Sequence, residues 1–482
     1  MKKILICIGV VLLITLAILL IPKDVGTNIT FDGENVNIDG RAELENDTVS
    51  ISKGGIYVLT GTSKKYNIKV DTTKDVIFVL DNLSLEKDEG AIEIISTASV
   101  TFNVFGENNI VASAGKGIYS TAVTNIKGEG KLNITSYEGI KVENLLNIAD
   151  VKLNVDAKSD CIKANELVAN NATFNLVSKN EYVEDKTDGR YALIDGKYIK
   201  IAKTDLPKYN KLYSLADSCK GLNIKDTLKI DNSKIEINTT DDAFNVANNI
   251  DINNSNVLIY TNDDGITTDK DINIKDSKVE IKECYEGVEG TNIYITNSDI
   301  DIAGIDDGLN IVAERAKGKL NITKSDVNIL VDGDGLDIQG ETTLLDTNMY
   351  LNTGDNGIQS NIISINNSNV KSYTYPDKDT YAYIAMVRNL SGEVIFAQKH
   401  NKFFLSSECE KNIKESKFPY VFIECKDNFK IVDKDENIVF ESSENEKGYT
   451  NYLYMNSKID KDNTYYLVTK NKKEELKFNN VE

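Results

Sequence analysis

The sequence predicts an all-β chain: a right-handed parallel β-helix, a solenoid of about 22 residues per rung, with a small C-terminal β module. Three observations predict it. First, an acidic-glycine step recurs as Asp242-Ala243-Phe244, Asp264-Gly265-Ile266, Glu286-Gly287-Val288, Asp307-Gly308-Leu309, Asp334-Gly335-Leu336 and Asn356-Gly357-Ile358, at intervals of 22, 22, 21, 27 and 22 residues. A repeat of that length is the mark of a solenoid or array. Second, a serine turn recurs in fixed phase, as Asp231-Asn232-Ser233, Asn253-Asn254-Ser255, Lys275-Asp276-Ser277, Thr296-Asn297-Ser298 and Asn366-Asn367-Ser368, each between β-branched strands of period two. Third, the middle of the chain lacks 3.6-residue periodicity, and the whole chain has only 4 prolines, which suits a backbone that is mostly paired.

The elements follow in chain order. Residues 1–24 form a leader: Met1-Lys2-Lys3, then Ile4 to Ile21 without a charge, then Pro22-Lys23-Asp24. The apolar run is longer than a cleavable signal peptide usually has and lacks an A-x-A-like site. It suits a membrane span of residues 4–21 with the N-terminus held inside by Lys2 and Lys3; removal as a signal peptide is the alternative. Residues 25–371 are the β-helix. The glycine phase extends upstream through Glu89-Gly90-Ala91, Lys116-Gly117-Ile118, Glu138-Gly139-Ile140, Asp160-Cys161-Ile162 and Lys220-Gly221-Leu222. Inward positions are expected at Ile140, Ile162, Leu222, Phe244, Ile266, Val288, Leu309, Leu336 and Ile358. The turn asparagines are expected to form an inward ladder. An insertion at about 180–217 interrupts the phase, and its Asp195-Gly196 step predicts a hairpin arm. From 372 to 482 the repeat is lost, and the runs Tyr381–Val387, Tyr420–Ile423 and Tyr465–Val468 predict a small antiparallel cap.

Bulk properties narrow the function. The chain has 482 residues, a net charge of −20, 41% hydrophobic and 27% charged residues, no tryptophan and 23 tyrosines. The charge argues against nucleic acid, whose phosphates need clustered Lys and Arg. Five cysteines lie beyond the leader, at 161, 219, 284, 409 and 425, in no metal-binding pattern. Cys161 occupies a glycine slot and reads as a small buried thiol; a Cys409–Cys425 bridge is open, since an exported chain can carry one.

Stacking the rungs turns the acids into a column. Bare carboxylates about 4.8 Å apart repel by about 1 kcal/mol in water and about 3–4 at an effective dielectric near 20. A bridging Ca2+ would remove that cost, with backbone carbonyls at the acidic-glycine turns and water completing its oxygen shell. The candidate ligands are Asp241, Asp242, Asp263, Asp264, Glu286, Glu289, Asp306, Asp307, Asn310, Asp332, Asp334 and Asp337. The rungs bearing Lys116 and Lys220 are expected to be empty. No Cys–His cluster suggests zinc, and the only histidine is His400.

The head Ile29-Thr30-Phe31, Gly54-Gly55-Ile56-Tyr57-Val58-Leu59-Thr60-Gly61-Thr62 and Val76-Ile77-Phe78-Val79-Leu80-Asp81-Asn82-Leu83, joined to the Asp-Asp-Gly series, resembles the clostridial-type exported carbohydrate-binding parallel β-helix proteins of the pectin-lyase-like superfamily. The resemblance covers roughly residues 28–470. It implies calcium on the β-helix and binding of plant cell-wall polysaccharide, cellulose-like or pectic, without an established enzymatic activity. An uncleaved anchor departs from that pattern. The expectation is therefore a monomeric, non-catalytic, calcium-dependent polysaccharide-binding protein on the extracellular face of the cell membrane, or secreted if the leader is cut. Tyr119, Tyr137 and Tyr285 are candidates to stack on sugar rings. The alternatives are a calcium-dependent polysaccharide lyase, with Arg315 as the basic group, and a structural adhesion spacer.

Overall fold

A computed structural model of the chain describes residues 26–313, 317–374, 380–399, 413, 416–442 and 448–479. The leader at 1–24, and with it the span 4–21, lies outside the described residues, as do Arg315, His400 and Cys409, and therefore the Cys409–Cys425 bridge. Among the described residues the regular structure is β-strand apart from one short 3-10 turn, Leu206–Lys208. No helix there is long and apolar enough to cross a membrane. The residues fall into two compact units, dividing between Asn175 and Leu176.

The first unit opens with a hairpin, Gly26–Asp32 against Asn35–Asp39. Its first strand also pairs in parallel with Gly55–Ser63, which pairs in parallel with Val76–Glu86. The predicted head strands are therefore successive turns of a parallel β-helix. Equivalent residues stack in register from Tyr57 through Phe78, Phe102 and Ile126 to Ile148, all buried. The rings of Phe78 and Phe102 stack with centroids 5.2 Å apart. Ile140 pairs with Ile162, and Cys161 beside it is fully buried, as its glycine-slot position implies.

The second unit stacks three parallel faces. One runs Leu222, Phe244, Ile266, Val288, Leu309, Leu336, Ile358. A second runs Ile230, Ile252, Ile274, Ile295, Ile322, Leu344. The third runs Ile237, Ile259, Ile281, Ile302, Ile329, Leu351. All of these side chains are buried. Burying each contributes about 1.5–3 kcal/mol, which is what holds so many short strands in register. Across the 27-residue interval the register is kept, since Asn292–Thr296 pairs in parallel with Lys319–Thr323.

The repeat's glycine is steric rather than conformational. A Cβ on Gly265, Gly287, Gly308 or Gly335 would lie 2.4–2.6 Å from the carbonyl oxygen of the next rung or from a packed Ile methyl. Glycine there lets adjacent rungs close.

The turn asparagines are not inward. Asn232, Asn254, Asp276, Asn297 and Asn367 hold φ between 45° and 50° and point to solvent, because Asn and Asp tolerate the left-handed region. The inward ladder is serine. Ser233 N–H donates to Ser255 Oγ (3.0 Å), Ser255 N–H to Ser277 Oγ (3.1 Å) and Ser277 N–H to Ser298 Oγ (3.1 Å), each hydroxyl buried.

The parallel stack runs past residue 371. Ile358–Thr374 pairs in parallel with Ile384–Gln398, which takes in Ile384–Val387 of the predicted Tyr381–Val387 run. Antiparallel pairing begins beyond it, with Asn451–Met455 against both Ile384–Gln398 and Tyr420–Glu424. A separate four-stranded antiparallel sheet includes Phe429–Asp433 and Tyr465–Thr469. The insertion is a four-stranded antiparallel arm. Its hairpin, Tyr191–Ile194 with Lys197–Lys200, turns at Asp195-Gly196, where both φ values are positive.

Candidate metal centre and acidic column

All twelve predicted ligands lie in the second unit, on the face led by Leu222 to Ile358. Pairing aligns Asn245, Thr267, Glu289, Asn310, Asp337 and Gln359 in one outward column, and the acids before each glycine slot form another beside it. The column is real, but it divides into two chemically different halves.

In the first half the acids already have cations. Lys220 Nζ lies 2.8 Å from Asp241 Oδ1 and 2.5 Å from Asp242 Oδ2. Lys200, from the arm, forms a close ion pair with Asp263 and lies 3.4 Å from Asp264 Oδ1. Tyr191 donates its hydroxyl to Asp263 Oδ2 at 2.9 Å. Burial works to lower the pKa of both lysines, but the facing carboxylates win and both are raised. Asp241, Asp242 and Asp263 converge most tightly, with one oxygen of each within 4.8 Å of the others. The ammonium groups explain that convergence, because they offset the repulsion that would spread the acids apart.

The second half has no such partner. Among the described residues no Lys or Arg nitrogen lies within 4.0 Å of Glu286, Glu289, Asp306, Asp307, Asp332, Asp334 or Asp337. Hydrogen bonds do part of the work. Asn310 Nδ2 donates to Glu286 Oε2 (2.9 Å), Asp334 N–H to Asp307 Oδ1 (2.7 Å), Asn356 N–H to Asp334 Oδ1 (2.7 Å) and Gln359 Nε2 to Asp337 Oδ1 (2.9 Å). They do not cancel the charge. Burial, then the neighbouring carboxylates, push Asp307 up to about 7 and Asp334 up to about 8. Glu286 is raised by burial and by its contact with Glu289; in the lysine-held half Asp264 is also raised, by burial and Asp263, with Lys200 opposing. Asp332 stands apart, with its side chain exposed.

The donor set suits a hard cation: carboxylates, an amide oxygen at Asn310 and no thiol or imidazole in the column. One expected donor is engaged elsewhere. The carbonyls of Asp264, Glu286, Asp307 and Asn356 each accept a ladder hydrogen bond from a neighbouring rung's Ala243, Gly265, Gly287 or Gly335 N–H, at 2.8–3.0 Å.

Two lysine-bearing rungs neutralise their neighbours. Lys220 holds Asp241 and Asp242, and in the first unit Lys116 lies 3.8 Å from Glu138. Of the predicted sugar-stacking tyrosines, Tyr137 is exposed and Tyr119 half-buried under Lys116. Tyr285 is only 8% exposed and lies beneath Lys200, so it is closed to a ligand. The sequence reading missed Tyr182, Tyr191 and Tyr198 of the arm; five tyrosines in a 32-residue stretch outside the repeat were the available signal.

With this geometry in place, comparison gives a family likeness. Residues 45–190 and 93–265 match the family described as carbohydrate-binding domain-containing protein. Those stretches include the first half of the column and the arm, and end at Gly265. No curated protein matches the chain. Among solved structures, a polysaccharide lyase-like protein from C. thermocellum, a gadolinium derivative, is similar at 20% identity, covering 53% of this chain and 97% of that one, with a TM-score of 0.34.

Proposed function

We propose that the chain is a non-catalytic polysaccharide-binding protein whose uncompensated acids take up Ca2+. The observation that carries the glycan reading is the carbohydrate-binding family match over residues 45–190 and 93–265. The observation that supports calcium is the run of partly buried acids from Glu286 to Asp337 without a lysine or arginine partner among the described residues. Glu286, Glu289, Asp306, Asp307, Asn310, Asp334 and Asp337 would hold the ions, which would supply charge neutralisation between rungs and a bridge to acidic sugars. At Asp241, Asp242, Asp263 and Asp264 an ion would have to displace Lys200 and Lys220, so those positions fill last, if at all. We place the chain at the extracellular face, held by residues 4–21 or released if the leader is cut; the polarity of that segment is the support.

Sedimentation with insoluble cellulose and with polygalacturonate covalently coupled to beads, with and without chelator, tests the function. Retention on at least one glycan supports it. A protein that stays in the supernatant with every glycan in both conditions refutes it and leaves the spacer. The release of unsaturated uronate with calcium present would instead establish the lyase.

A further inference from the structure

The arm carries an aromatic surface that calcium binding does not use. Tyr198 stacks on Tyr182 with centroids 4.1 Å apart and planes 15° from parallel, and Tyr213 meets Tyr198 edge-on at 5.0 Å. This pair forms one wall of a cleft of about 570 Å³. The facing wall is the β-helix itself, with Asn262, Glu283, Ile305 and Leu330 drawn from four successive rungs. Ile305 and Leu330, large apolar groups 42% and 41% exposed, both line this cleft.

We infer that this cleft binds a segment of uncharged glycan, with Tyr198 and Ile305 as its apolar walls. The inference rests on the polysaccharide-binding reading and names the ligand class and the place. A pyranose ring presents an apolar C–H face and a polar hydroxyl rim. An aromatic face and exposed aliphatic groups cover the first. Asn262, Glu283 and Lys197 line the same cleft and can hydrogen-bond the second. Its volume is in the range of small-ligand sites. Charge selects against a polyuronate. Lys282 is already held by Asp301 and, at 3.1 Å, by Glu280, and the other two charged lining residues, Lys197 and Glu283, are of opposite sign.

The wall is also preformed. Tyr182 is fixed by Asn262, which donates to its hydroxyl at 2.9 Å. The arm is pinned to the β-helix through Tyr191 on Asp263 and Lys200 on Asp263 and Asp264. Little ordering is therefore left for the ligand to impose. Because lysines make those contacts, the cleft should not need calcium.

Calorimetric titration of the full chain with cellohexaose and with oligogalacturonate, in calcium and in chelator, tests this, using Tyr198→Ala, Tyr198→Phe and Ile305→Asp. Circular dichroism should show all of them folded at the working temperature, since Tyr198 is half-buried and Ile305 exposed. The expected result is cellohexaose binding of equal strength in both buffers, weakened about tenfold or more by Tyr198→Ala and Ile305→Asp and kept by Tyr198→Phe. Unchanged cellohexaose affinity in Tyr198→Ala and Ile305→Asp overturns the cleft while leaving the polysaccharide reading intact. Loss on oligogalacturonate alone overturns the neutral assignment. If the wild type binds no glycan in this assay or in sedimentation, both readings fall together.

Discussion

At the scale of single residues, the acids make the protein's stability depend on pH in an unusual direction. Asp307 and Asp334, raised to about 7 and about 8 from 3.8, hold protons in the folded chain that the unfolded chain has released. Their contribution is therefore fully present below about pH 4 and is lost as pH rises toward 8. In chelator the melting temperature should fall between pH 5 and pH 8, and Asp307→Asn with Asp334→Asn should flatten that slope. A slope unchanged in the double variant would mean these two groups are not its source. Two further residues give sharp expectations. Ser277→Ala removes the acceptor of a buried Ser255 N–H and should cost about 1–3 kcal/mol in chemical denaturation. Gly308→Ala places a Cβ 2.4 Å from Ile329 Cγ2 and 2.6 Å from Gly335 O, and should cost about 1–3 kcal/mol through overpacking. Ala243 shows that one slot accepts a methyl, so the cost belongs to the tightest rungs.

At the scale of elements, the arm acts as a tethered counter-ion. Lys200 reaches from the hairpin strand Lys197–Lys200 to Asp263 and Asp264 on two β-helix residues in sequence, 63 and 64 positions away. Lys200→Ala leaves a buried ion pair without its cation, a change worth about 3–5 kcal/mol. The variant should melt lower in chelator and recover more than the wild type when Ca2+ is added, because the vacated acids then join the uncompensated set. Equal recovery in both proteins would show that these acids take no calcium even when freed. The hairpin itself was legible in the sequence through Asp195-Gly196. Its target was not, because nothing local in Tyr191 or Lys200 says which distant acid each will meet. The same limit explains the turns: an Asn-Ser step announces a turn, but only the positive φ at Asn232 and its equivalents decides that serine faces inward and asparagine outward.

At the scale of the whole molecule, the repeat was the most legible feature. All nine predicted inward positions are buried, because a 22-residue period and two-residue alternation leave one consistent register. The early turns around Gly26–Asp32 and Gly55–Ser63 lie inside the predicted β-helix of 25–371 but could not be phased into rungs, since no acidic-glycine step marks them. The stack also passes through Ile384–Gln398, where the sequence has lost its repeat but the backbone has not lost its pairing. Of the candidate site, the column could be read directly from phase. Its division into a lysine-held half and an open half could not, because Lys200 arrives from the arm, outside the acidic register, and phase alone does not say that Lys220, inside it, reaches both Asp241 and Asp242. That division is the central claim, and calcium-dependent melting at pH 8 tests it most directly. Saturating Ca2+ should raise the melting temperature of the wild type relative to chelator, since a ligand held only by the folded state stabilises it. The gain should be mostly lost in Glu286→Gln with Asp307→Asn, and mostly kept in Asp241→Asn. A melting temperature that chelator leaves unchanged, or a gain that Asp241→Asn abolishes while Glu286→Gln with Asp307→Asn spares it, would contradict the account.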